Sequence, residues 1–130
     1  MPTHSLAIAS GGFLGTLARL LIHYFSPFQE SAFPWVTLVE NASGAFLLGL
    51  TSAIVCVSYR YAQQTRAFLC TGLLGSYTSL SAFSIELVHL QQSPNLFFGY
   101  FFASLVLGVS AAWLGVVAGR SGLMRRSKKC

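Results

Sequence analysis

Four membrane-crossing helices, the third broken near its middle, form the all-α fold class that this sequence predicts. Three observations carry it. The 130 residues are 54% apolar and only 8% charged, against roughly 25% charged in ordinary soluble domains. Four apolar stretches each reach the ~20 residues that cross a bilayer. The third is interrupted by glycines and hydroxyls that a regular helix does not need. A soluble chain of this composition would expose far larger apolar patches than a monomer in water tolerates. A soluble domain, a disordered tail and a nucleic-acid module are therefore excluded.

The spans run roughly Ser5 to Phe25, Trp35 to Val57, Ala67 to Leu90 and Leu96 to Gly119, as one domain over residues 1–130 with a basic tail at 120–130. The first has no Lys or Arg before it and carries Arg19, so it reads as a retained span and not a signal peptide. The connectors are short: Ser26 to Pro34 holds Glu30, Ser58 to Arg66 holds Arg60 and Arg66, and Gln91 to Asn95 holds Pro94. Eight Lys+Arg against three Asp+Glu give a formal charge of +5. Seven of those cations fall on the face shared by the termini and the second connector, and none on the other. The positive-inside rule then places both termini in the cytoplasm. Cys56, Cys70 and Cys130 form no metal or disulfide framework.

Small residues recur at four-residue spacing, as Gly11 and Gly15, Ala45 and Gly49, and Ala111, Gly115 and Gly119, so helix backbones are expected to approach closely in lipid. Four such helices enclose little, which points to a paired assembly.

Ionisable residues inside spans are costly and mark functional sites by default. Here they are Arg19, Glu40 and Glu86. Gly15, Arg19 and His23 share one face of the first span, near an end where the long arginine side chain can snorkel. Thr37, Asn41 and Gly44 share one face of the second, either to bond a neighbouring helix or to line a polar passage; Glu40 points about 100° away from Asn41, toward a partner helix or the membrane boundary. In the third, Thr71, Gly72, Gly75, Ser76, Thr78, Ser79, Ser81 and Ser84 predict a break. Irregular backbone at membrane depth is tolerated only where it is buried in protein, lines water or coordinates an ion. Beyond the break Ser79, Phe83 and Glu86 share a face, and Leu80 stacks against Phe83. In the fourth, Tyr100 and Ser104 pair, followed by Gly108 and Ala112.

No Ser/His/Asp set, metal box or phosphate loop accompanies these groups, and His4, His23 and His89 are scattered, so an enzyme is not expected. Hydroxyl and amide donors with aromatic edges and few bases suit the path of a small anion, replacing water without trapping it.

Three segments resemble the four-span fluoride channels called Fluc or CrcB proteins. Gly11-Gly12-Phe13-Leu14-Gly15 with Arg19 resembles the family's GGxxGxxxR. Thr37-Leu38-Val39-Glu40-Asn41-Ala42-Ser43-Gly44 resembles TLxVNxxG, and the stretch from Gly72 to Ser84 resembles GxxGGxTTFSTFS. The resemblance implies an antiparallel dimer in a bacterial inner membrane. Two narrow pores would export fluoride passively, a structural central sodium ion being held by the backbone carbonyls of Gly75 and Thr78. It implies no organic cofactor. Asn41 would be the pore amide, Phe83 a ring edge meeting the anion and Ser81 a vestibule hydroxyl. Thr37, Tyr100 and Ser104 would form a polar track; Leu80, Ser84 and Glu86 complete the anion-path candidates. Arg19 would be a structural residue or one at the cytoplasmic-side approach.

Leu80 departs from the family's first phenylalanine, Ala82 from a threonine, and Glu40 from an apolar residue. With the one-sided charge, these departures leave two assemblies open, a homodimer and a heterodimer with an oppositely oriented homologue that supplies the intact pore. A proton-coupled small multidrug transporter is the alternative class, and needs an acid in the first span, where this chain has Arg19. A non-conducting packing subunit is the third.

Overall fold

The computed structural model describes residues 2–28, 31–55 and 62–127. Glu30, Cys56, Arg60, Lys128, Lys129 and Cys130 lie outside the described residues, as do the side chains of Arg125 and Arg126.

The described chain is helical almost throughout, because an apolar segment in lipid must satisfy its own backbone. Helix α1 covers Pro2–Phe25 and α2 covers Trp35–Val55. The third span is composite. A short α3 (Ala62–Arg66) passes into a π-helical segment over Ala67–Leu74, then a single turn α4 (Gly75–Tyr77), and after a break α5 (Leu80–Leu90). Helix α6 runs Pro94–Ser127, opening on a proline whose missing N–H has no partner to lose in a first turn. Four helical stretches are long and apolar enough to cross a membrane: His4–Phe25, Trp35–Val55, Gln63–Leu90 and Pro94–Gly122. The protein is a multi-pass membrane protein.

Two features differ from expectation. The fourth helix does not stop at Gly119 but continues into the basic segment as far as Ser127, since Arg and Met are good helix formers and only Gly122 opposes them. At 1.5 Å per residue its 34 residues extend about 51 Å, well past a ~30 Å hydrocarbon core. The first half of the third span is a π-helix, whose wider turn no sequence periodicity announced.

The helices associate in two crossed pairs, α1 with the π segment and α2 with α6, and glycines make both possible. A Cβ on Gly11 would meet the Phe68 carbonyl, and one on Gly15 the Leu73 carbonyl. One on Gly49 would meet the Ala112 carbonyl, and one on Gly115 the Phe46 carbonyl. The small-residue stripes are thus packing seams, as expected. Gly108 is different, with nothing within 4 Å of its Cβ position. Replacing Gly115 by leucine is expected to force α2 and α6 apart at a cost of about 3 kcal/mol. The check is the yield of monodisperse protein in detergent by size exclusion, which should fall sharply while Gly108→Leu leaves this intrachain packing unchanged.

Little of the apolar surface is internal. Leu38, Leu90 and Tyr100 form a small core with Phe33, Phe83, Leu87, Leu96, Phe97 and Ala103 around it. Phe13, Phe102, Val109 and Trp113 are among many large side chains left exposed, a surface that suits lipid or a second protein and not water.

Candidate functional site

The break in the third span falls at Thr78 and Ser79, both in extended backbone (φ −76°, ψ 150° and φ −141°, ψ 107°). Asn41 closes it from α2. Its side-chain Oδ1 accepts from the Ser79 N–H at 2.8 Å, and its Nδ2 donates to the Ser79 carbonyl at 3.3 Å. One amide thus replaces two backbone partners that the break removed. Ser79 then starts α5, its hydroxyl accepting from the Ala82 N–H at 3.1 Å, as an N-cap serine does. On the other side Thr78 closes α4, its hydroxyl and its N–H both donating to the Leu74 carbonyl at 3.1 Å. No hydrogen bond reaches the carbonyls of Gly75, Ser76, Tyr77 or Thr78 from the described residues. Gly44 leaves room for the break, since a Cβ there would strike the Thr78 methyl and the Tyr77 ring.

Beyond the break, Glu86 of α5 accepts from two hydroxyls. Thr37 of α2 donates to one carboxylate oxygen at 2.6 Å and Tyr100 of α6 to the other at 2.5 Å. Both donors are buried, at 1% and 0% exposure. Through these two contacts Glu86 ties α2, α5 and α6 together. The Tyr100 ring also packs against Phe83 at 5.3 Å and edge-on against Phe33 at 5.6 Å.

Five candidates meet in one groove. Asn41, Thr78, Leu80, Phe83 and Ser104 line an open space of about 340 Å³ with Ala45, Leu48 and Leu105. It offers two donors. Asn41 Nδ2 carries a second hydrogen beyond the one given to Ser79, and the buried Ser104 hydroxyl, next to Tyr100, completes no hydrogen bond of good geometry among the described residues. Leu80 is 77% exposed on the groove's lip. Ser81 is exposed and hydrogen-bonds through its hydroxyl with that of Ser79 at 3.1 Å. Ser84 returns its hydroxyl to the Leu80 carbonyl of its own helix at 2.9 Å and does not reach the groove. Gly75 lies outside the groove, exposed on the single chain. Arg19, half-buried on α1, makes no side-chain hydrogen bond or ion pair among the described residues.

Glu40 takes the first of its two expected directions. It faces α1 and is 2% exposed, with His23 Nε2 at 3.2 Å from its Oε2. The sequence puts His23 on one face with Arg19 and names no partner for Glu40, because a helical wheel gives each residue's bearing on its own helix but not the rotation between helices. The Tyr77 to Ser43 hydroxyl contact at 3.1 Å was also not anticipated.

Residues 6–116 match the family described as CrcB-like protein, Camphor Resistance (CrcB). The chain is 35% identical over 119 residues to the fluoride-specific ion channel FluC of Chlorobium chlorochromatii, covering 90% of this chain and 92% of the relative. It is 36% identical over 117 residues to FluC 1 of Nitrobacter hamburgensis, covering 88% and 93%. With FluC 2 of Bacillus licheniformis it shares 38% identity over 129 residues, 95% of this chain and 94% of that one.

Proposed function

This chain belongs to the CrcB family, and from that premise we propose that it is a fluoride channel and not an enzyme, passing the ion passively out of the cytoplasm. One observation carries the reading. The groove at the broken helix gathers an amide, a hydroxyl and the Phe83 ring around a space with no fixed cation or carboxylate on its walls. An anion entering it exchanges water for the second Asn41 N–H, the Ser104 O–H and the positive edge of the Phe83 ring. None of these is a full charge, so the ion is held weakly enough to leave.

A groove open along one side becomes a pore only when covered. We assign the cover to a second, oppositely oriented chain, seated on the exposed apolar face beside Leu80. The carbonyls at the break suit a sodium ion: Gly75 and Thr78 lack donors to their carbonyls, and a hard cation takes such oxygens in place of hydrogen bonds. Gly75 is exposed on the single chain, so carbonyls from two copies can share the ion, which would lock the two breaks together. In this reading the charge bias favours the orientation with both termini in the cytoplasm of a bacterial inner membrane for one chain, the oppositely oriented chain having its termini on the other face.

The test is flux from liposomes holding the purified chain alone. Fluoride efflux is expected well above that of protein-free vesicles, with chloride at background. Chloride efflux equal to fluoride would refute the selectivity. A second assembly has its own support, because Leu80 brings no ring to the groove lip and the charge bias opposes dual insertion. If the chain is one half of a heterodimer, fluoride flux appears only when an oppositely oriented homologue is reconstituted with it.

A further inference from the structure

His23 and Glu40 form an ionisable pair within the bundle that the anion path does not use. Glu40 is 2% exposed, and while its Oε2 faces His23 at 3.2 Å its Oε1 is buried with no hydrogen-bond partner among the described residues. His23 is different, 40% exposed and on the wall of a cavity of about 390 Å³ that also reaches Ser31, Trp35, Glu86 and His89. The pair therefore has one end sealed among helices and one end open to a polar pocket, the arrangement a proton needs to reach a buried carboxylate.

We propose that His23 and Glu40 are a proton-binding site beside the anion path, and that loading it with a proton speeds fluoride conduction. The reading rests on the channel function argued above. Glu40 is the chain neighbour of Asn41, and the cavity that His23 opens into touches Glu86, which holds Thr37 and Tyr100 in place. Whichever partner takes the proton, the site becomes one charge more positive, so the sign of the effect on a passing anion does not depend on where the proton settles. Imidazole is the side chain whose charge ordinarily changes between pH 5 and 8.

Among the described residues the other ionisable groups around the pair are few. Arg19 precedes His23 by one turn on α1; α5 contributes Glu86 and His89, and α6 the Tyr100 phenol, committed to Glu86. Helix α4 contributes Tyr77, bonded to Ser43. From the rest of the third span come Arg66 and Cys70, the latter at the level of Ser52 toward the other end of α2. Of these, only His89 shares the cavity and the imidazole chemistry.

The experiment is fluoride efflux from liposomes carrying the whole chain, measured from pH 8 to pH 6 and corrected for leakage of hydrogen fluoride from protein-free vesicles. Efflux is expected to rise about fivefold over that interval, the effect of one charge at a partly screened distance of a few helix turns. His23→Gln should flatten the profile, Glu40→Gln should hold efflux near the acidic level at every pH, and His89→Gln should keep the slope. NMR of the His23 ring gives a readout independent of flux, in which Glu40→Gln moves the titration midpoint. Efflux that is present but independent of pH, a slope that disappears in His89→Gln, or a His23 midpoint indifferent to Glu40→Gln overturns the proton site and leaves the channel standing. No fluoride efflux at any pH, from the chain alone or from the chain reconstituted with an oppositely oriented homologue, removes both.

Discussion

Fluoride efflux is expected to fall at least about a hundredfold when Asn41 becomes aspartate, a barrier increase of roughly 2.7 kcal/mol. The carboxylate keeps the acceptor for the Ser79 N–H but loses the donor that reaches the Ser79 carbonyl, placing two oxygens face to face across the break. It also removes the second N–H aimed at the groove and puts a negative charge where an anion must pass. Each change acts against conduction, and none needs the fold to fail, because the Ser79 cap on Ala82 and the Thr78 bond to Leu74 remain. Efflux and size exclusion measured on one preparation separate the two outcomes. Phe83→Ile supplies an independent arm, keeping an apolar side chain against Tyr100 while removing the ring edge. Undiminished flux in both variants would show that the anion travels elsewhere.

The second large effect is on stability. Glu86→Leu strips the acceptor from Thr37 and Tyr100, which are 1% and 0% exposed and have no water to turn to. A buried hydroxyl left without a partner costs about 1 to 3 kcal/mol, so the pair together costs about 4 kcal/mol. The midpoint of thermal unfolding in detergent should drop by well over the scatter of surface variants. Glu86→Gln retains one carbonyl oxygen and should lose about half as much. Tyr100→Phe in the Glu86→Leu background should recover part of the loss, since removing both partners is less costly than orphaning one. A Glu86→Leu protein as stable as the parent would mean that the hydroxyls find other acceptors.

Hydropathy made the four spans legible because the bilayer imposes one length on every helix. The seams at Gly11, Gly15, Gly49 and Gly115 were legible because close backbone approach admits only small residues. The break was legible too, since glycines and hydroxyls between Gly72 and Ser84 make sense only where backbone is irregular. Sequence did not disclose what depends on one helix's rotation against another. Glu86 was known to share a face with Phe83, yet that spacing holds no information about Tyr100 coming from α6 to meet it. Glu40 shows the same limit, with its bearing computable and its partner His23 not. The π segment was hidden for another reason: a wider turn over Ala67–Leu74 changes the register of a uniformly apolar stretch, and a uniform stretch has no register to read.

The two helix pairs carry a consequence for biosynthesis. The first two spans each pack most closely on one that leaves the ribosome two spans later, α1 on the third and α2 on the fourth. Neighbouring spans thus enter the bilayer without their final partners, and the seam around Gly49 stays open until the last segment has been translated. A chain halted after Leu90 would have α1 seated and α2 held through His23–Glu40, Asn41–Ser79 and Thr37–Glu86, with its glycine seam uncovered and no Tyr100 to complete the bridge. The α2 seam therefore closes only once the fourth span is made, and a product that ends before it would leave the Gly49 face of α2 uncovered.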